Sequence, residues 1–90
     1  MRVKNLNGTA DNTPPAGYHS WREYWEVNMG KKFSSCSCIT CSNVAEVGGH
    51  VKKVGGSGEW YIVPICSRHN NISSECSYEV RDIDLLRMRS

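Results

Sequence analysis

Two ligand pairs at metal-binding spacing constrain this chain more than anything else in it. Cys38-Ile-Thr-Cys41 and Cys66-Ser-Arg-His69 each place two side chains, with two residues between them, on one tight turn. Two such pairs supply the closed tetrahedral shell that Zn²⁺ prefers. Lying about 25 residues apart in so short a chain, they form a specific signal. The first turn holds three cysteines where two are needed. Cys38 with Cys41 has the commonest spacing, whereas Cys36 with Cys41 leaves four residues between, which is also permitted. Spacing therefore favours Cys38 and keeps Cys36 as the alternative. The competing reading is a set of buried free thiols or a disulfide pair. Cys76 has no partner at ligand spacing and reads as a packed thiol.

Size gives the metal a purpose. A chain of 90 residues makes one domain and buries only about 60–65% of its unfolded surface, which leaves a marginal core. A structural metal is the usual staple for such a chain, and it can supply on the order of 10 kcal/mol of apparent folding free energy. The net charge is only +2, so composition announces no polyanion partner, and nucleic-acid binding would need a local basic patch. No apolar run is long enough to span a membrane. The first residues carry charges with no apolar stretch behind them, unlike a secretory signal. Five cysteines are an odd number for a disulfide framework. Reduced thiols and a cytoplasmic location are the expectation.

Residues 1–17 are polar, contain Pro14-Pro15 and show neither helical nor strand period, so a flexible N-terminal arm is expected before a single domain over 18–90. Ser20 and Glu23 form a capping box, and Gly30 is a natural stop. Between them Trp21, Tyr24, Trp25 and Met29 fall on one face of an amphipathic helix, expected to cover the metal module. His19, beside the cap, has no evident partner. Residues 44–65 read as a hairpin: Val51 and Val54 flank Lys52-Lys53, Gly55-Gly56-Ser57-Gly58 turns, and Trp60-Tyr61-Ile62-Val63 returns. Pro64, lacking an N–H, should end the ladder. A turn into a short helix follows at Cys66–Asn71. Tyr78–Val80 fits a short strand, and Leu85, Leu86 and Met88 fit a short helix or edge strand.

Metal turn, hairpin, then a helix giving two more ligands is the order of a treble-clef finger. The expected fold is thus α+β: a small zinc-stabilised treble-clef-like domain, its core at about 36–71, preceded by the amphipathic helix. Within that core, Gly49-His50-Val51 and Ile62-Val-Pro-Ile-Cys66-x2-His69-Asn70 resemble the HNH endonuclease family, whose His-metal finger is built on this scaffold. The resemblance covers under half of the chain. It implies that His50 is a general base activating water. The family's acidic residue before that histidine is here Gly49, its frequent asparagine before the second ligand pair is Tyr61, and its final metal-binding histidine is Asn70. Those departures leave a catalytic cation poorly held, unless Glu46 or Glu59 reaches it. Three roles for His50 stay open: general base, zinc ligand in place of His69, or structural bridge of the hairpin.

The expected function is a module holding one structural Zn²⁺ that binds nucleic acid, or a protein associated with it, without catalysis. The alternative is an HNH-like metal-dependent endonuclease using His50. Lys52, Lys53 and Arg68, with Trp60 nearby, are the candidate contacts, because basic groups beside an aromatic ring suit a phosphate backbone and an unstacked base. Neither a membrane nor a small-molecule cofactor is expected.

Overall fold

In the computed structural model, which describes residues 1–6, 13–56 and 58–88, five antiparallel strands form one sheet. In chain order the elements are β1 (Arg2–Asn5), α1 (Trp21–Met29), β2 (Val47–Lys53), β3 (Trp60–Ile65), α2 (Ser67–Asn70), β4 (Ser77–Glu79), a 3₁₀ turn (Asp82–Asp84) and β5 (Leu86–Arg87). The spatial order is β4-β1-β2-β3-β5. β2 and β3 form the central hairpin, in register from Val47 opposite Ile65 to Lys52 opposite Trp60.

Residues directly opposite each other in an antiparallel pair share a face, and neighbours along a strand alternate. This sorts the sheet into two surfaces. One carries Val3, Val51, Val63, Ile65 and Tyr78, which pack with Cys36, Cys38, Cys66 and Val80 into a single buried cluster. The other carries His50 and Ile62, and α1 lies across it, against β2, β3 and β5. Trp25 is the buried residue of α1, and its Nε1–H donates to Asp84 O at 2.8 Å. The aromatic stripe is therefore packed, with Trp25 at its centre, but on the far side of the sheet from the cysteines. A helical stripe says that something will be covered and not which face of a sheet will be.

The helix ends follow their sequence signals. Ser20 Oγ accepts the Glu23 N–H at 3.0 Å, and Glu23 Oε1 accepts from the His19 N–H, one residue further back than a standard capping box. Gly30 takes a left-handed φ of 70° and donates to Glu26 O.

The start of the chain departs from the expected arm. Residues 2–5 are an inner strand, flanked by β2 and β4. Val3 is fully buried, and the buried Asn5 donates to the carbonyls of His69 at 2.7 Å and Ile72 at 3.0 Å while accepting from Tyr78 OH. One apolar residue in four gives no readable period, so burial here comes from partners remote in sequence. The remainder of the expected arm lies partly outside the described residues, at 7–12.

Pro64 also behaves differently from expectation: β3 runs through it to Ile65, with Pro64 opposite Gly48. Its carbonyl accepts from Ser37 N–H at 2.8 Å. The carbonyl of Pro64 thus faces the loop at 35–44 and not β2, so the missing N–H costs no bond in the hairpin. At the far end, Asp84 is buried and accepts from Ser37 Oγ and Arg81 Nε, both at 2.7 Å, with Lys31 Nζ at 3.4 Å. Burial pushes the Asp84 carboxyl up, but these donors outweigh it and hold it below its ordinary value. No described helix is long and apolar enough to cross a membrane.

Candidate metal centre

The loop before β2 is a small hairpin of its own. Cys36 N–H donates to Asn43 O at 2.8 Å, Ser35 bridges Val44, and Cys41 N–H closes a turn on Cys38 O at 3.0 Å. This brings Cys36 and Cys41 together at the base and tip of one loop. On the other side of the hairpin, Cys66 precedes α2, and Asn70 N–H bonds back to Cys66 O at 3.0 Å. That single helical turn sets Cys66 and His69 on the same side.

The three sulfurs and one imidazole nitrogen of Cys36, Cys41, Cys66 and His69 all lie within 4.8 Å of one another. Cys36 Sγ is 3.7 Å and Cys66 Sγ 3.3 Å from His69 Nδ1, and Cys41 Sγ is 3.9 Å from Cys66 Sγ. Around one Zn²⁺, ligands at about 2.3 Å for sulfur and about 2.1 Å for nitrogen stand about 3.5–3.8 Å apart at tetrahedral corners. The four groups therefore surround a space of the size one ion needs.

Cys36, the alternative by spacing, is in this group, and Cys38 is not. Cys38 begins the turn that Cys41 ends, and its backbone bridges Val80. Its Sγ rests 3.5 Å from Thr40 Oγ1 while the residue is buried in the apolar cluster. Sequence spacing could not separate the two, because the choice depends on Val80, more than forty positions downstream. Cys76 is an exposed thiol, not a packed one, just before β4.

Electrostatics within the group are uneven. Burial raises the Cys36 thiol to about 11. Burial also pushes Cys66 up, but hydrogen bonds involving His69 and Asn43 outweigh it and bring that thiol to about 6. Asn43 Nδ2 lies 3.8 Å from Cys66 Sγ. Tyr78 packs its ring 5.2 Å from that of His69, and its hydroxyl holds the Asn5 amide that in turn holds His69 O. Asn5, Asn43 and Tyr78 thus position members of this cysteine–histidine group, the kind of support that fixes ligand orientation at a metal site. None stands at a motif position, and only Asn43, two residues past Cys41, lay near enough in sequence to be noticed.

The remaining candidates divide between surfaces. His50 projects from the α1 face, opposite Ile62, so the sheet separates it from the cysteine group. Its ring meets the Trp21 ring edge-on at 4.6 Å. Its Nε2 is buried with no hydrogen-bond partner among the described residues, and burial lowers its pKa. Gly49 faces the cysteine side, and a Cβ there would collide with Ile65 Cδ1. That collision is a physical reason for the absence of an acidic side chain before His50. Glu46 is engaged with the Ser67 N–H and hydroxyl, and Glu59 with Arg87 and the Tyr61 hydroxyl.

Lys52 and Trp60 are directly opposite on one face, and Trp60 keeps 38% of its surface exposed. Lys53, opposite Val3, belongs to the other face at the exposed end of the sheet. Arg68 is apart from all three. It sits on α2, beside a polar cleft of about 360 Å³ lined also by Thr40, Cys41, Ser42, Asn43 and His69. From Val47, at the α2 end of β2, to Lys52 is roughly 17 Å of strand. Compared with known proteins, the chain matches no family model, no curated protein and no solved structure.

Proposed function

We propose that the chain is a zinc-stabilised module of treble-clef type that binds nucleic acid without catalysis. The observation that carries the metal part is the tetrahedral spacing of Cys36, Cys41, Cys66 and His69, drawn from one loop before the hairpin and one helical turn after it. Three thiolates and an imidazole suit Zn²⁺ over harder cations. Bound there, the ion tethers the loop and α2 across the β2–β3 hairpin, where so small a core offers little else. A reducing compartment such as the cytoplasm keeps these thiols available. The ligand class rests on Lys52, Lys53 and Trp60. Both lysines are exposed with no carboxylate partner among the described residues, and Trp60 is half-exposed opposite Lys52. Positive charge beside an indole suits phosphate and a base.

The HNH-like nuclease reading needs a cation beside His50. What speaks against it is the packing of His50 against Trp21, with Gly49 and Asn70 on the opposite face of the sheet. A general base without a held cation lacks the charge stabilisation that phosphodiester cleavage requires. The test is paired. Purified reduced protein is analysed for zinc, and its binding to labelled oligonucleotides is followed by anisotropy across a salt series. One zinc per chain, with binding that weakens in salt and survives His50→Ala, supports the reading. Metal-free folded protein overturns the zinc part. Multiple-turnover Mg²⁺-dependent cleavage abolished by His50→Ala replaces it with the nuclease.

A further inference from the structure

Lys4 is the next residue on the row that Lys52 and Trp60 begin. It pairs directly with Lys52 across β1 and β2, and on its other side with Ser77 of β4. Four adjacent strands therefore present Ser77, Lys4, Lys52 and Trp60 in one line on one face, about 14 Å long at the usual spacing between strands.

Two like charges directly opposite each other destabilise an antiparallel pair. Elsewhere on the sheet the fold neutralises its arginines. Arg2 meets Glu79 at 3.5 Å and Arg87 meets Glu59 at 3.5 Å. Lys4 and Lys52 meet no carboxylate among the described residues, although β4 beside Lys4 carries Glu79. Folding alone gains nothing from this arrangement, whereas a bound polyanion would relieve it. The row ends in an exposed ring whose face can take an unpaired base.

We propose that a single-stranded nucleic acid crosses the sheet along this row, with Lys4 and Lys52 on its phosphates and a base stacked on Trp60. This rests on the nucleic-acid reading above and adds the strandedness, the path and Lys4. A single strand fits because the surface is the face of a sheet. Reading duplex DNA in its major groove takes a projecting helix or ribbon, and α1 is laid flat over the other half of this face. Arg68, at the opposite end of the hairpin, stands outside the path.

The test uses the zinc-loaded full chain with dT and rU oligonucleotides and a DNA duplex of equal length. Single strands should bind at least tenfold more tightly than duplex. Lys4→Ala should lower the slope of log affinity against log salt by about 0.7, the value for one fewer phosphate neutralised on a single strand. Trp60→Leu should weaken single-strand binding on the order of tenfold or more. Arg68→Ala should change neither, and melting curves of each variant separate weakened binding from a disturbed fold. Equal or better duplex binding, or binding indifferent to Lys4 and Trp60, overturns this path while leaving the nucleic-acid reading in place. No binding to any of the three probes overturns both.

Discussion

The two faces of the sheet are held by different physics. On the cysteine face four valines (Val3, Val51, Val63, Val80) are buried with Ile65 and Tyr78, and three cysteines sit among them. On the α1 face the large ring of Trp25 is buried, with its N–H satisfied by the Asp84 carbonyl. Apolar area does the work on the second face, at roughly 25 cal/mol for each Å² removed from water. On the first face, three thiols and an imidazole gathered in a core cost desolvation unless a cation compensates them. One half of this protein should therefore answer to metal and the other to packing.

The largest expected effect breaks the cysteine face. Cys36→Ser should abolish tight zinc binding and, because ligation and folding are linked, unfold the chain, with on the order of 10 kcal/mol of ligation energy at stake. Cys38→Ser should keep one zinc per chain. Metal analysis of the pair gives opposite results if Cys38 is the true ligand. Strong chelators should act as Cys36→Ser does, seen as loss of near-ultraviolet dichroism.

Next in size is the packed face. Trp25→Ala should cost roughly 3–5 kcal/mol in chemical denaturation while leaving zinc stoichiometry at one. An unchanged denaturation midpoint would mean that α1 does not depend on this ring.

A smaller effect sharpens the boundary between the faces, where Asp84 reaches Ser37 in the metal loop and Arg81 beside it. Its folded pKa lies below the ordinary 3.8. The stabilisation is thus complete above that value and lost as pH falls through the lower, folded one. Asp84→Asn should cost about 1.5–3 kcal/mol at pH 7, and the difference from wild type should vanish in strong acid. Parallel stability curves at all pH values would contradict the assignment. Smallest is Gly49→Ala, expected to cost about 1–3 kcal/mol by forcing Ile65 aside. Ile65→Val in the same chain should recover part of it, and an additive double mutant would show that the two side chains do not meet.

What the sequence made legible follows the range of the forces. Local signals are obeyed: Ser20 and Gly30 bound α1, and the glycine-rich turn separates two strands. Cys41, Cys66 and His69 were readable as members of one candidate metal group because turn geometry fixes which side chains converge. Cys36 and Cys38 were not separable, since the bridge from Cys38 to Val80 decides between them. β1 was invisible because its burial is set by residues near 53 and 78, and its own four residues include one apolar side chain. The same distance hid Lys4, whose place beside Lys52 exists only once β1 is seated.

That seating has a bearing on how the chain is made. β1 occupies an inner place in the sheet, yet both strands it pairs with come much later in the sequence. During synthesis this segment leaves the ribosome before either of its partner strands and must wait for both. The metal loop, hairpin and α2 can assemble meanwhile from contacts near in sequence. Two unsatisfied strand edges then wait for one early peptide, and closing such long loops is slow. In that interval the exposed edge of β2 is open to any other extended segment, including β1 of a neighbouring chain. Slow release, or early zinc, would favour the intramolecular match.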